Sequence, residues 1–130
     1  MKVEVNKLIT LTVKEVAEDD ALWGFNDMKN SSHDTFILSN EGLFFVNDIK
    51  VNNNTIAPVL SEQDIMRKAK KDGDFLYMRF KKVFITQRRA LLTIESRPTG
   101  YWSEMGGFAT MEFLKENGRW TGKVIESAIY

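Results

Sequence analysis

The chain has 130 residues, its 18 Lys and Arg are balanced by 18 Asp and Glu, and it contains no Cys. That length makes one domain spanning 1–130. Zero net charge argues against nucleic acid as a partner, and the lack of Cys removes a disulfide framework, a thiolate nucleophile and any sulfur-ligated metal.

The N-terminus, Met1-Lys2-Val3-Glu4-Val5-Asn6, lacks the apolar run of a signal peptide. No window approaches the ~18 apolar residues of a membrane span. The expected setting is cytoplasmic, with no membrane partner.

Over residues 3–13 two periods compete. Ile9-Thr10-Leu11-Thr12-Val13 alternates like a strand, while Ile9, Val13, Val16, Ala17 and Ala21 fall on one helical face. Glu15, Glu18, Asp19 and Asp20 lie opposite Val13, Val16 and Ala17, which is the signature of an amphipathic helix, assigned to about residues 8–27.

After Asn30-Ser31-Ser32, strands over 35–38 and 43–46 flank a hairpin turn at Ser39-Asn40-Glu41-Gly42. Residues 47–58, with Asn52, Asn53 and Asn54 in a row, read as an exposed loop with a mobile tip. Ser61 then caps a helix, with Asp64 at its third position, an apolar stripe of Ile65, Met66 and Ala69, and Lys70-Lys71-Asp72-Gly73 closing it.

Residues 74–86 are strand-like, dense in aromatic and β-branched side chains. The last third reads as an antiparallel meander of strands over 90–95, 108–114 and 123–130. It is divided by Arg97-Pro98-Thr99-Gly100 and by a tight Asn117-Gly118 turn. Strands gathered after helices indicate an α+β fold, with the helices expected on one sheet face.

This order resembles the nuclear-transport-factor-2-like superfamily, which includes ketosteroid isomerase and polyketide cyclases, and within it the small uncharacterised single-domain branch. The resemblance rests on Ala21-Leu22-Trp23-Gly24-Phe25-Asn26-Asp27, the segment 33–42, the helix before Gly73, Ala90-Leu91-Leu92-Thr93, and Asn117-Gly118-Arg119-Trp120. It implies a cone: a strongly curved, mostly antiparallel sheet wrapped around the N-terminal and second helices, open to an apolar cavity and often paired into a homodimer through its outer face. Carried over position by position, the isomerase tyrosine falls on Asp19 and the general-base aspartate on Ser39, and neither substitute performs the role. Only the second acid has a counterpart, Glu112.

His33 beside Asp34 is either a lone general base or a polar residue at a strand start. Glu112 alternates with Phe108, Thr110 and Leu114. It is either a polar group inside an apolar pocket or a surface charge, with Met111 and Phe113 then forming the core. Tyr77 and Arg79 share a strand face that is either ligand-binding or the wet side of a sheet. Trp102 sits in a Gly-flanked segment, where it either contacts a ligand, packs across a dimer or packs locally. Trp23 and Trp120 are read first as core.

Three functions follow. The first is a homodimeric domain without isomerase chemistry that binds a small, largely apolar molecule between the first helix and the sheet, through Trp23, His33, Tyr77, Arg79, Trp102 and Glu112. The second is an isomerase, dehydratase or cyclase with His33 or Asp34 as base and Glu112 as acid. The third is a protein-partner module, of immunity or assembly type, working through the outer sheet face. No cofactor and no metal are expected.

Overall fold

Leu8, Ile9, Val13 and Val16 recur at helical spacing, and all four are fully buried. They form the apolar stripe of α1 (Lys2–Glu18), so the helical period overrides the strand-like alternation. In the computed structural model, residues 2–19, 22, 25, 37–43, 47–51, 55–100 and 106–130 are described. Within these, α1 starts six residues earlier than the expected helix, and Asp19 already lies outside it.

The remaining elements are β1 (Leu38–Ser39), β2 (Ile49–Lys50), β3 (Ile56–Ala57), β4 (Val59–Leu60), α2 (Glu62–Asp72), β5 (Leu76–Ile85), β6 (Arg89–Pro98), β7 (Gly107–Glu116) and β8 (Arg119–Ile129). The α+β class therefore holds. Neither described helix is long and apolar enough to cross a membrane.

Six strands form one sheet in the order β4-β1-β5-β6-β7-β8, and β2 pairs with β3 separately. The long strands β5 to β8 run antiparallel, as their alternation predicts. The β7–β8 turn has Asn117 at φ 52° and Gly118 at φ 77°, the pair of positive angles that a two-residue hairpin needs. The sheet is mostly antiparallel and is not strongly curled; the α+β class is shown and the cone expected from the resemblance is not.

The N-terminal half departs further from expectation. β1 lies parallel to both β4 and β5, so the chain between those two is a crossover carrying α2. The second strand expected after Gly42 falls mainly on residues 44–46, outside the described residues. The stretch expected to be an exposed loop instead contains β2 and β3, with Ile49, Val51 and Ala57 buried in the core. Its Asn-rich tip, residues 52–54, lies outside the described residues.

Alternation along each strand divides the sheet into two faces. Met78, Phe80, Ala90, Leu92, Ile94, Ala109, Met111 and Phe113 meet the α1 stripe. Tyr77, on the opposite side of β5, packs with Ile37, Phe75 and the α2 residues Ile65 and Ala69. The helices thus cover opposite faces, correcting the expectation of one shared face: the β4-to-β5 crossover carries α2 over the side that α1 leaves open.

α2 is bounded as its sequence dictates. The Asp64 N–H donates to Ser61 Oγ at 3.1 Å, and Gly73, at φ 93°, donates its N–H to the Ala69 carbonyl at 2.8 Å.

Candidate functional site

Facing strands bring a polar cluster together on the side of the sheet away from α1. The β5–β6 register sets Arg79 opposite Glu95 and Tyr77 opposite Arg97. The Glu95 carboxylate is only 6% exposed as a residue, too buried to stand without partners. It lies 3.4 Å from Arg79 Nε and 4.0 Å from an Arg97 terminal nitrogen, and it accepts the Tyr130 hydroxyl at 2.9 Å.

Glu62, the first residue of α2, forms the other half. Its Oε2 accepts the Tyr77 hydroxyl at 2.9 Å and its Oε1 accepts the Ser39 hydroxyl at 3.1 Å. Arg79 links the halves, with one terminal nitrogen 3.6 Å from Glu62 and 3.7 Å from Glu41. The Glu41 N–H donates in turn to Ser39 Oγ at 3.2 Å.

Both phenols are held un-ionised. Burial, then the hydrogen bond to Glu62 and the charge of that carboxylate, pushes Tyr77 up to about 12. Tyr130 is 45% exposed as a residue, yet its hydroxyl end sits against Glu95. Burial of that end, then the Glu95 hydrogen bond and charge, raises it to about 12 as well. The tyrosines are donors to the carboxylates. Two arginines, three glutamates and two tyrosines thereby fasten α2 and the Ser39–Glu41 turn to β5, β6 and the end of β8. The arrangement is a clamp in which two cations bridge three carboxylates, and among the described residues no group of His, Cys, Asp or Glu side chains could hold a metal ion.

Glu112 stands elsewhere on the same face. Met111 and Phe113 take the core positions, and Glu112 points away from α1. Its Oε2 accepts from Arg89 Nε at 2.9 Å and lies 2.7 Å from Arg89 Nη2. It is an acceptor in an ion pair, part of a depression of about 240 Å³ lined with Leu114, Glu116, Thr121, Gly122 and Lys123.

Three apolar side chains stand near it on the same face. Phe84 pairs across strands with Leu91, and Leu114 lies diagonally beyond on β7; Phe84 is 49% and Leu114 41% exposed.

Of the residues proposed from sequence, Tyr77 and Arg79 meet in the clamp, while Glu112 belongs to the Arg89 pair. Trp23, His33, Asp34 and Trp102 lie outside the described residues. Ser39, onto which the resemblance would carry the isomerase base, is fully buried and hydrogen-bonded to Glu62. Asp19 follows the end of α1, its N–H donating to the Glu15 carbonyl at 2.9 Å.

Trp120 is partly buried against the core, and its Nε1 has no hydrogen-bond partner among the described residues. Lys115 Nζ lies 5.5 Å above the Trp120 ring and also bonds Glu4 of α1. That hydrogen bond from Lys115 holds the Glu4 carboxyl below its usual range.

Sequence reasoning missed Glu62, Glu95, Arg97 and Tyr130. The available signal was the alternation that puts Glu95 on the same β6 face as Leu91 and Thr93, with an arginine on the preceding strand.

Compared with known protein families, characterised proteins and solved structures, the chain matches none, and its functional reading rests on its own geometry.

Proposed function

We propose that this domain is a protein-partner module whose binding surface is the sheet face opposite α1. The observation that carries the reading is the pair of exposed side chains Phe84 and Leu114, with part-buried Leu91 between them, set beside the Arg89–Glu112 pair and the depression next to it. Half-exposed apolar side chains ringed by charges of both signs are the usual composition of a recognition surface: an apolar centre supplies affinity and a polar rim supplies register. The other side of the sheet is taken up by α1, whose core-facing side chains are fully buried against it. Of the polar side chains that sequence reasoning offered for a ligand, the described ones, Tyr77, Arg79 and Glu112, lie away from that helix.

The partner that suits this face is a folded protein presenting an apolar side chain to the 240 Å³ depression, with an acidic and a basic group to meet Lys123 and Glu112. The test is affinity capture on the immobilised domain and on a Phe84→Glu, Leu114→Glu variant with unchanged far-UV circular dichroism. A stoichiometric protein held by the first and lost from the second supports the reading. Equal retention on both, or none on either, sinks it.

A further inference from the structure

Among the described residues β8 is the last strand of the six-stranded sheet, and of its eleven residues all but Trp120 and Val124 are exposed. One side of it pairs with β7. The Tyr130 N–H donates to the Gly106 carbonyl at 3.0 Å, and Ile129, Ala128, Ser127 and Glu126 stand opposite Gly107, Phe108, Ala109 and Thr110. In an antiparallel ladder alternate residues bond to a given neighbour. With Tyr130 bonded to β7, Ala128 and Glu126 bond there too, and Ser127 and Ile129 turn their backbone groups to the open edge.

The side chains on this stretch have a symmetric pattern. A register shift between Thr110 and Met111 leaves Ile125 as the extra residue of a bulge, and beyond it Ser127 and Ile129 share one side of the strand. Ile125 is 48% and Ile129 61% exposed, the larger value being the highest of any big apolar residue described. Centred on Ser127, the sequence reads Ile, x, Ser, x, Ile in both directions.

We infer that β8 is a dimer edge, on which a second copy of this chain lays its own β8 antiparallel with Ser127 opposite Ser127. A two-fold axis through that point has three consequences. The outward N–H and C=O of each Ser127 bond to those of the other copy. Ile125 of each copy falls opposite Ile129 of the other, bringing the four exposed isoleucines to the seam. Glu126 falls opposite Ala128, so no like charges oppose.

Lys123 lies outside the paired stretch, which ends at the bulge residue Ile125. The two-fold runs perpendicular to the sheet, keeping both recognition faces on the same side as one continuous surface. The inference goes beyond the proposed outer-face binding and does not depend on it.

Size-exclusion chromatography with light scattering tests it on the intact chain. The expected mass is twice the 15.0 kDa chain. Ser127→Pro removes only an edge-facing N–H, so the monomer keeps its fold and the dimer is lost. Ile129→Lys, which changes no backbone group, must also give monomer, and it decides the matter where the proline variant fails to fold.

Ser127→Cys supplies a thiol in a chain that has none. Facing residues of a hydrogen-bonded antiparallel pair lie about 5.5 Å apart between Cα atoms, within disulfide range, so mild oxidation yields a covalent dimer. Lys71→Cys, on exposed α2, does not cross-link. A wild-type monomer at the highest soluble concentration overturns the inference, as does a dimer that survives Ile129→Lys or equal cross-linking through position 71.

Discussion

The Tyr77 hydroxyl donates to Glu62 Oε2 at 2.9 Å, so a phenol on the sheet holds the carboxylate at the first residue of α2. Tyr77 is almost wholly buried, and its ring also fills the space between α2 and β5. Tyr77→Phe keeps the ring and removes the donor. A hydrogen bond to a charged group contributes roughly 1.5–3 kcal/mol. The expected loss is in the lower part of that range, because Glu62 keeps Ser39 and Arg79, and it reads out as a lower urea midpoint with unchanged slope.

The same bond sets an alkaline limit. With a native pKa of about 12 against 10.0, Tyr77 contributes stability that is fully present below pH 10. From there the unfolded phenol ionises first, and the contribution is lost as pH rises through 12. Tyr130 acts in the same direction. Wild type should therefore lose more stability between pH 10 and 12 than Tyr77→Phe does, as followed by thermal melts across that range. Parallel curves would remove the phenol from the account.

The Arg89–Glu112 pair is a surface pair in energetic terms. Arg89 is half exposed, and pairs of this kind contribute roughly 0.2–1 kcal/mol. Glu112→Gln should change the melting temperature by no more than a few degrees and leave circular dichroism unaltered. A large destabilisation would mean that the carboxylate supports something deeper than the face.

Gly122 sits under Phe113. A Cβ added there would meet Phe113 Cε1 at 2.4 Å, and that ring is fully buried in the core beneath α1. Gly122→Ala should cost about 1–3 kcal/mol by overpacking. Gly118→Ala, where a Cβ meets nothing within 4 Å but φ is 77°, loses stability through backbone strain. Pairing Gly122→Ala with Phe113→Leu should recover part of the first loss and none of the second.

What the sequence makes legible is what carries a period or a cap. Ser61 with Asp64, the Asn117-Gly118 turn and the alternation of Ala90 to Ile94 and of Ala109 to Phe113 are local signals, and the structure has each in place. The two-residue strands have no period, so β1 beside β5, or β2 and β3 in an Asn-rich stretch, could not be read. Their positions follow from burial of Leu38, Ile49 and Ala57 against residues distant in sequence.

The clamp was hidden for the same reason. Arg79 meets Glu95 through a cross-strand register that shifts by one between Phe80 and Lys82, and Tyr130 reaches Glu95 from another strand. Glu112 was undecided from sequence because alternation gives two sides but not which one is covered; the α1 stripe decides it.

The placing of β1 between β4 and β5 orders events during folding. The strands β5 to β8 follow one another through short connections, so their contacts close small loops. β1 has no neighbour until Val59 and Met78 arrive, 21 and 40 positions later, and its two residues cannot hold a strand alone. The meander should form the nucleus, with high φ-values at Leu92 and Met111. The β4–β1 margin and α2 dock late, through Glu62 and Tyr77. Their amides should then exchange with solvent by sub-global opening while those of β6 and β7 wait for complete unfolding.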